Sequence, residues 1–242
     1  DDAVTNTSSV FLGSGSGTAI TSGEFNTATG INAMNATTSG GYNTAFGHES
    51  LYSNTTGDYN TAIGYQTLKM NDESYNTAIG YQALLNCNIY ENKAVGCYSL
   101  KSVVSGRSNT ACGKSSLEST NSGSYNTSFG YNAAESNTTG SNNTGMGYNS
   151  LSGTTTGSYN TAVGALAGTS VSDADYTGAF GYGAAPGATG KIKIGDNLHT
   201  SWIGGNSEWH NVSDGRFKRN VREDVPGLNF ILKLRPVTFQ WN

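Results

Sequence analysis

Apolar and polar positions along this chain recur every 16 or 17 residues, each cycle marked by a glycine: Gly13, Gly30, Gly47, Gly64, Gly80, Gly96, Gly113, Gly130, Gly147, Gly164 and Gly181. Four are preceded by Tyr-Asn-Thr-Ala and one apolar residue, as in Tyr59-Asn60-Thr61-Ala62-Ile63-Gly64, and most of the others by a close variant of that run. A fixed short period means one supersecondary unit stacked many times. Within a unit the spacing predicts two short extended stretches. One is the Tyr-Asn-Thr-Ala-Ile run; the other follows the glycine, as in Tyr65-Gln66-Thr67-Leu68. Turn-rich clusters such as Asn54-Thr55-Thr56-Gly57-Asp58 separate the units. A helical period is absent before the last 40 residues. The prediction is an all-β parallel β-roll, a solenoid of 16–17-residue two-strand coils.

Aligned coils generate columns spaced about 4.8 Å apart. The pre-glycine column (Leu12, Phe46, Ile63, Ile79, Val95, Cys112, Phe129, Met146, Val163, Phe180) and a Leu column (Met34, Leu51, Leu68, Leu84, Leu100, Leu117, Leu151) read as the interior ribbons. Two columns are small throughout, one from Ala28 and Ala45 to Ala179, the other from Ala33 and Ser50 to Ala184. Alternation points the first away from the pre-glycine column. These strips suit close backbone approach, and so an oligomer axis. With about two buried apolar side chains per coil, worth about 3–6 kcal/mol, a lone roll is thin, and an obligate oligomer is expected.

The Asn column (Asn26, Asn43, Asn60, Asn76, Asn92, Asn109, Asn126, Asn143, Asn160) reads as a stacked amide ladder bonded to itself and to backbone. A glycan or ion ladder is the competing reading. The aromatic column of Tyr42, Tyr59, Tyr75, Tyr125, Tyr159 and Tyr176, with Phe25, reads either as cross-coil packing or as a ligand-contact stripe.

Composition sharpens this only in part. Charged residues are 12% of the chain and the net charge is −4, with 33 glycines and 3 prolines. That balance offers no electrostatic footprint for nucleic acid, and no apolar run suggests membrane insertion. Cys87, Cys97 and Cys112 are odd in number and lack CxxC spacing. Cys112 reads as a small core hydrophobe, with a Cys97 disulfide as the competing reading. His48, His199 and His210 have no ligand-like spacing. No cofactor and no metal are expected. Asn-x-Ser/Thr triplets arise inevitably from the repeat.

The Asn-Thr-Ala-Ile-Gly core is similar to the repeats of trimeric autotransporter adhesin heads. The longer Tyr-Asn-Thr-Ala-Ile-Gly-Tyr-Gln-Ala-Leu unit resembles repeats in tail fibres of marine bacteriophages and related bacterial surface proteins. The resemblance spans about residues 8–185 and implies a left-handed roll with three chains about one axis. Glu91-Asn92-Lys93 and Ser108 depart from it, breaking the Tyr column, as does Thr29 in an apolar slot.

After Pro186 the period tightens into Lys191-Ile192-Lys193-Ile194-Gly195 and Ser201-Trp202-Ile203-Gly204-Gly205, read as narrowing coils or a cap. Then Ser213-Asp214-Gly215-Arg216-Phe217-Lys218 opens a charged segment, followed by a short helical pattern and a Pro236-Val237-Thr238-Phe239-Gln240-Trp241 strand. This resembles the start of the intramolecular chaperone domain of phage endosialidases and tailspikes. The resemblance implies trimerisation, assisted folding of the preceding fibre and self-cleavage before Ser213, with Lys218 as its base.

The organisation expected is therefore a lead-in over 1–12, the roll over 13–185, narrowing coils over 186–212, and the start of a mixed α/β chaperone segment over 213–242. The function expected is a structural and host-attachment protein, a homotrimeric virion tail fibre that contacts a cell-surface receptor, glycan included. The alternatives are a bacterial surface adhesin or filament subunit, and a self-cleaving precursor with a Ser213–Lys218 dyad.

Overall fold

The computed structural model describes residues 3–6 and 8–196. Strands β1 (Ala3–Asn6) and β2 (Ser9–Leu12) form an antiparallel hairpin. Eleven parallel strands of three residues follow, one per coil, from β3 (Thr27–Thr29) to β13 (Ile192–Ile194). Register never slips: Thr44 lies on Thr61, Ala45 on Ala62, Phe46 on Ile63, and so along the stack. The chain is an all-β parallel solenoid.

Only one of the two predicted stretches is a strand. The residues after the glycine turn instead, because Gln66 (φ 53) and Leu68 (φ 49) are left-handed, a costly conformation for side-chain-bearing residues. The zigzag sends backbone N–H groups to alternate neighbours: Gln66 donates back to His48 O at 2.9 Å, and Leu68 forward to Ala83 O at 3.2 Å. Cross-coil hydrogen bonds hold a backbone that local preference alone would not choose.

The ruler glycines are required where they stand. Gly80 has φ 132, and a Cβ there would lie 2.6 Å from Gly96 O in the next coil.

The interior differs from the sequence expectation in one respect. The Leu column is buried, with Leu51, Leu68, Leu84, Leu100 and Leu117 fully inaccessible. The pre-glycine column faces outward, 37% exposed at Ile79 and 59% at Phe46. Both small-residue columns lie inside, Ala28 to Ala179 and Ala33 to Ala184. They therefore form no oligomer axis. The physical reason is thickness: a coil this short has room for one Leu facing an Ala and a Ser, but not for a Leu and an Ile. Cys112, a partly exposed free thiol in the outward column, is likewise no core residue.

The Asn column fills the remaining interior. Each Asn Oδ1 accepts the backbone N–H of the next Asn, as for Asn43→Asn26 (2.9 Å), Asn60→Asn43 (2.8 Å) and Asn126→Asn109 (3.0 Å). Each Nδ2 reaches a turn carbonyl, as from Asn43 to Gly57 and from Asn109 to Gly123. The ladder starts on Ser9 Oγ and ends on Thr177 N. Buried amides bonded on both sides are a structural spine.

Coil length varies without disturbing the strands. In the longer coils Thr38, Ser39 and Gly40 donate N–H to Thr55 O. The next coil is one residue shorter, and the Asp72 carboxylate stands where that carbonyl would be, accepting from Thr55 N and Thr56 N, both at 2.7 Å. Burial pushes the Asp72 carboxyl upward, but the hydrogen bonds from Thr55 and Thr56 outweigh it and hold it below the usual value.

Candidate interaction face

Side-chain alternation decides what the outer face presents. Asn and Ala point inward, so Tyr, Thr and the pre-glycine residue of each coil point outward together. Tyr159, Thr161, Tyr176 and Phe180 line one shallow groove with Ile192, which places the three columns on one surface. Over the eleven parallel strands this face runs about 50 Å at the spacing of paired strands. An exposed, largely apolar line on this scale makes the face a candidate interaction site.

The predicted Tyr stripe is present but interrupted. Phe25, Tyr42, Tyr59 and Tyr75 form one stack, with centroids 4.8, 4.9 and 5.2 Å apart and near-parallel planes. Tyr159 and Tyr176 form a second at 4.8 Å. Within these runs each ring face is covered by the next ring, leaving edges and hydroxyls outward. Tyr125 stands apart, between Ser108 and Asn142 of the adjoining coils. Arg107 compensates for the absent ring at Ser108: its guanidinium donates to Tyr90 Oη at 2.6 Å and Tyr125 Oη at 3.2 Å. The two phenol hydroxyls hold the Arg107 pKa above its ordinary value.

A second aromatic column, at positions expected to be strand but turned in the structure, follows the glycine. His48 and Tyr65 stack at 5.3 Å, Tyr65 and Tyr81 at 5.2 Å, and Tyr131 and Tyr148 at 5.7 Å. Its signal was the recurrent Tyr immediately after Gly64, Gly80, Gly130 and Gly147.

Where the first Tyr column breaks, a notch of about 360 Å³ opens, lined by Tyr75, Glu91, Lys93, Ser108 and Thr110. Ser108 Oγ donates to Glu91 at 3.1 Å. Among the described residues no cluster of His, Cys, Asp and Glu could hold a metal ion. No helix there is long and apolar enough to cross a membrane. Cys87 is buried, its thiol pushed up to about 11 by desolvation, which leaves it unreactive. Ser213 and Lys218 lie outside the described residues.

Residues 213–242 match the family model described as chaperone of endosialidase. No curated protein and no solved structure matches the chain.

Proposed function

We propose that this chain, an endosialidase-type chaperone segment preceded by a β-solenoid, is the shaft or head of a homotrimeric phage-type tail fibre. It would be carried on the virion and contact the host cell surface. The observation that carries this reading is the outward pre-glycine column. Phe46, Ile63, Ile79, Val95, Phe129, Met146, Val163 and Phe180 form one straight apolar line beside a Thr ladder. Three such lines closing on a common axis would bury it along the whole rod. A cyclic arrangement also needs no second surface to end the assembly.

The chaperone match supports the same reading, because a long parallel stack has few local contacts to guide its folding and benefits from a trimerising nucleus. Host contact falls to what the axis leaves open: the edges and hydroxyls of Tyr42, Tyr59, Tyr75, Tyr125, Tyr159 and Tyr176, and the second aromatic column. Self-cleavage before Ser213, with Lys218 as base, belongs to this reading as its processing step.

Native mass measurement of the full chain tests it. A species three times the 25.2 kDa chain mass, or three times the mass of residues 1–212, is the expected result. A monomer under native conditions overturns the fibre reading. A Ser213→Ala chain with the same product mass as its parent removes the processing step. Whole-cell and glycan-array binding by the same trimer then reads host attachment.

A further inference from the structure

A uniform ladder packs well and registers poorly. Sliding one chain along its neighbour by one coil, about 4.8 Å, puts Thr back on Thr and Ile on Val everywhere except the ends. The apolar face therefore gives little energy difference between aligned and slipped trimers. In the coils of β3 to β12 the Tyr, Thr and pre-glycine columns carry charge in one coil alone: Glu91 replaces Tyr and Lys93 replaces Thr. Both are exposed, on either side of buried Asn92. No ion pair among the described residues joins Lys93 to a carboxylate. Arg107, the nearby cation, is engaged by Tyr90 and Tyr125.

We propose that Glu91 and Lys93 are a register lock between copies of this chain, an inference that rests on the trimer reading above. In a parallel three-fold arrangement closed on the pre-glycine line, the coil of Glu91 and Lys93 lies level with the same coil of the next chain, and the Tyr column stands at the rim of the seam with its hydroxyls open. Glu91 of each chain then pairs with the lysine of the same coil in its neighbour, three times around the ring. The notch left by the missing rings at positions 91 and 108 gives the pair its space. Chains slipped by one coil instead set Glu91 against Thr77 or Thr110 and Lys93 against Tyr75 or Ser108, leaving each charge unpaired and partly desolvated, which is unfavourable. A single polar interruption that fixes register at some cost in stability is a known use of such residues in repetitive assemblies.

The test uses two full-length chains with different tags, Lys93→Glu and Glu91→Lys, made separately and together. Circular dichroism confirms that each keeps its β structure. Each single variant is expected to lose trimer at concentrations where the parent is fully trimeric, and the double reversal Glu91→Lys/Lys93→Glu to regain it. Co-expressed singles are expected to form mixed trimers well beyond a random mixture, by native mass. Single variants that trimerise and melt like the parent, or that mix at random, overturn the lock and leave the trimer standing. A parent that is not trimeric overturns both.

Discussion

Replacing Asn109 by Ala removes one rung of the buried amide spine. The side chain makes four hydrogen bonds: Oδ1 accepts from Asn126 N (3.0 Å) and Asn126 Nδ2 (3.1 Å), and Nδ2 donates to Gly123 O (2.9 Å) and Asn92 Oδ1 (3.1 Å). Asn126 Nδ2 and Asn92 Oδ1 keep other partners, Gly140 O and the backbone N–H of Asn109. The Asn126 N–H and the Gly123 carbonyl lose theirs. An orphaned buried polar group costs about 1–3 kcal/mol, so the expected loss is about 2–6 kcal/mol.

A solenoid transmits such a loss mainly to nearest neighbours. The assay is therefore hydrogen exchange of the Asn126 amide, where about 3 kcal/mol appears as roughly a hundredfold loss of protection. Asn109→Asp adds a second reading. It would aim a carboxylate oxygen at two acceptors, so the native state favours the neutral acid and raises its pKa above the unfolded value. The deficit of this variant should then shrink at low pH and grow as pH rises through the raised value. Unchanged protection in Asn109→Ala, or a pH-independent deficit in Asn109→Asp, would refute the spine argument.

Asp72, by contrast, has a depressed native pKa. Its contribution is present at neutral pH and is lost as pH falls through that depressed value. Asp72→Asn should cost about 1 kcal/mol at pH 7 and flatten the acid limb, as read from urea midpoints at neutral and acidic pH. At the exposed left-handed position of Leu166 (φ 58), Asn tolerates the conformation better. Leu166→Asn should stabilise by about 0.5–1 kcal/mol, seen as a raised urea midpoint.

The sequence made the stack, its in-phase columns and the Asn spine legible, because each leaves a chemical mark at a fixed spacing. Which face of the strand lies inside was not legible. Alternation separates Ala62 from Ile63 but assigns neither to the core, and the usual guess, the larger residue inward, fails in a coil this thin. The turn conformation of Gln66 and Leu68 was also hidden, since neither is a residue that announces a left-handed backbone; only the cross-coil hydrogen bonds enforce it. The Tyr stripe and its breaks at Glu91 and Ser108 were legible too, but not what fills those breaks, since the notch and the Arg107 bridge from Tyr90 to Tyr125 depend on the fold. Of the candidate dyad, Ser213 falls within the family match by sequence pattern, and its geometry lies outside the described residues.

The Asp72 carboxylate in place of a peptide carbonyl has a consequence for how such rods vary. A coil can lose a turn residue and keep phase, provided that one side-chain oxygen closes the gap. Length polymorphism in the turns is thereby uncoupled from the spine, the apolar line and the charged coil. Whole coils can be duplicated or deleted by unequal recombination, and single residues can come and go at the turns. Such a rod changes its reach in steps of one coil while keeping the same columns on each face.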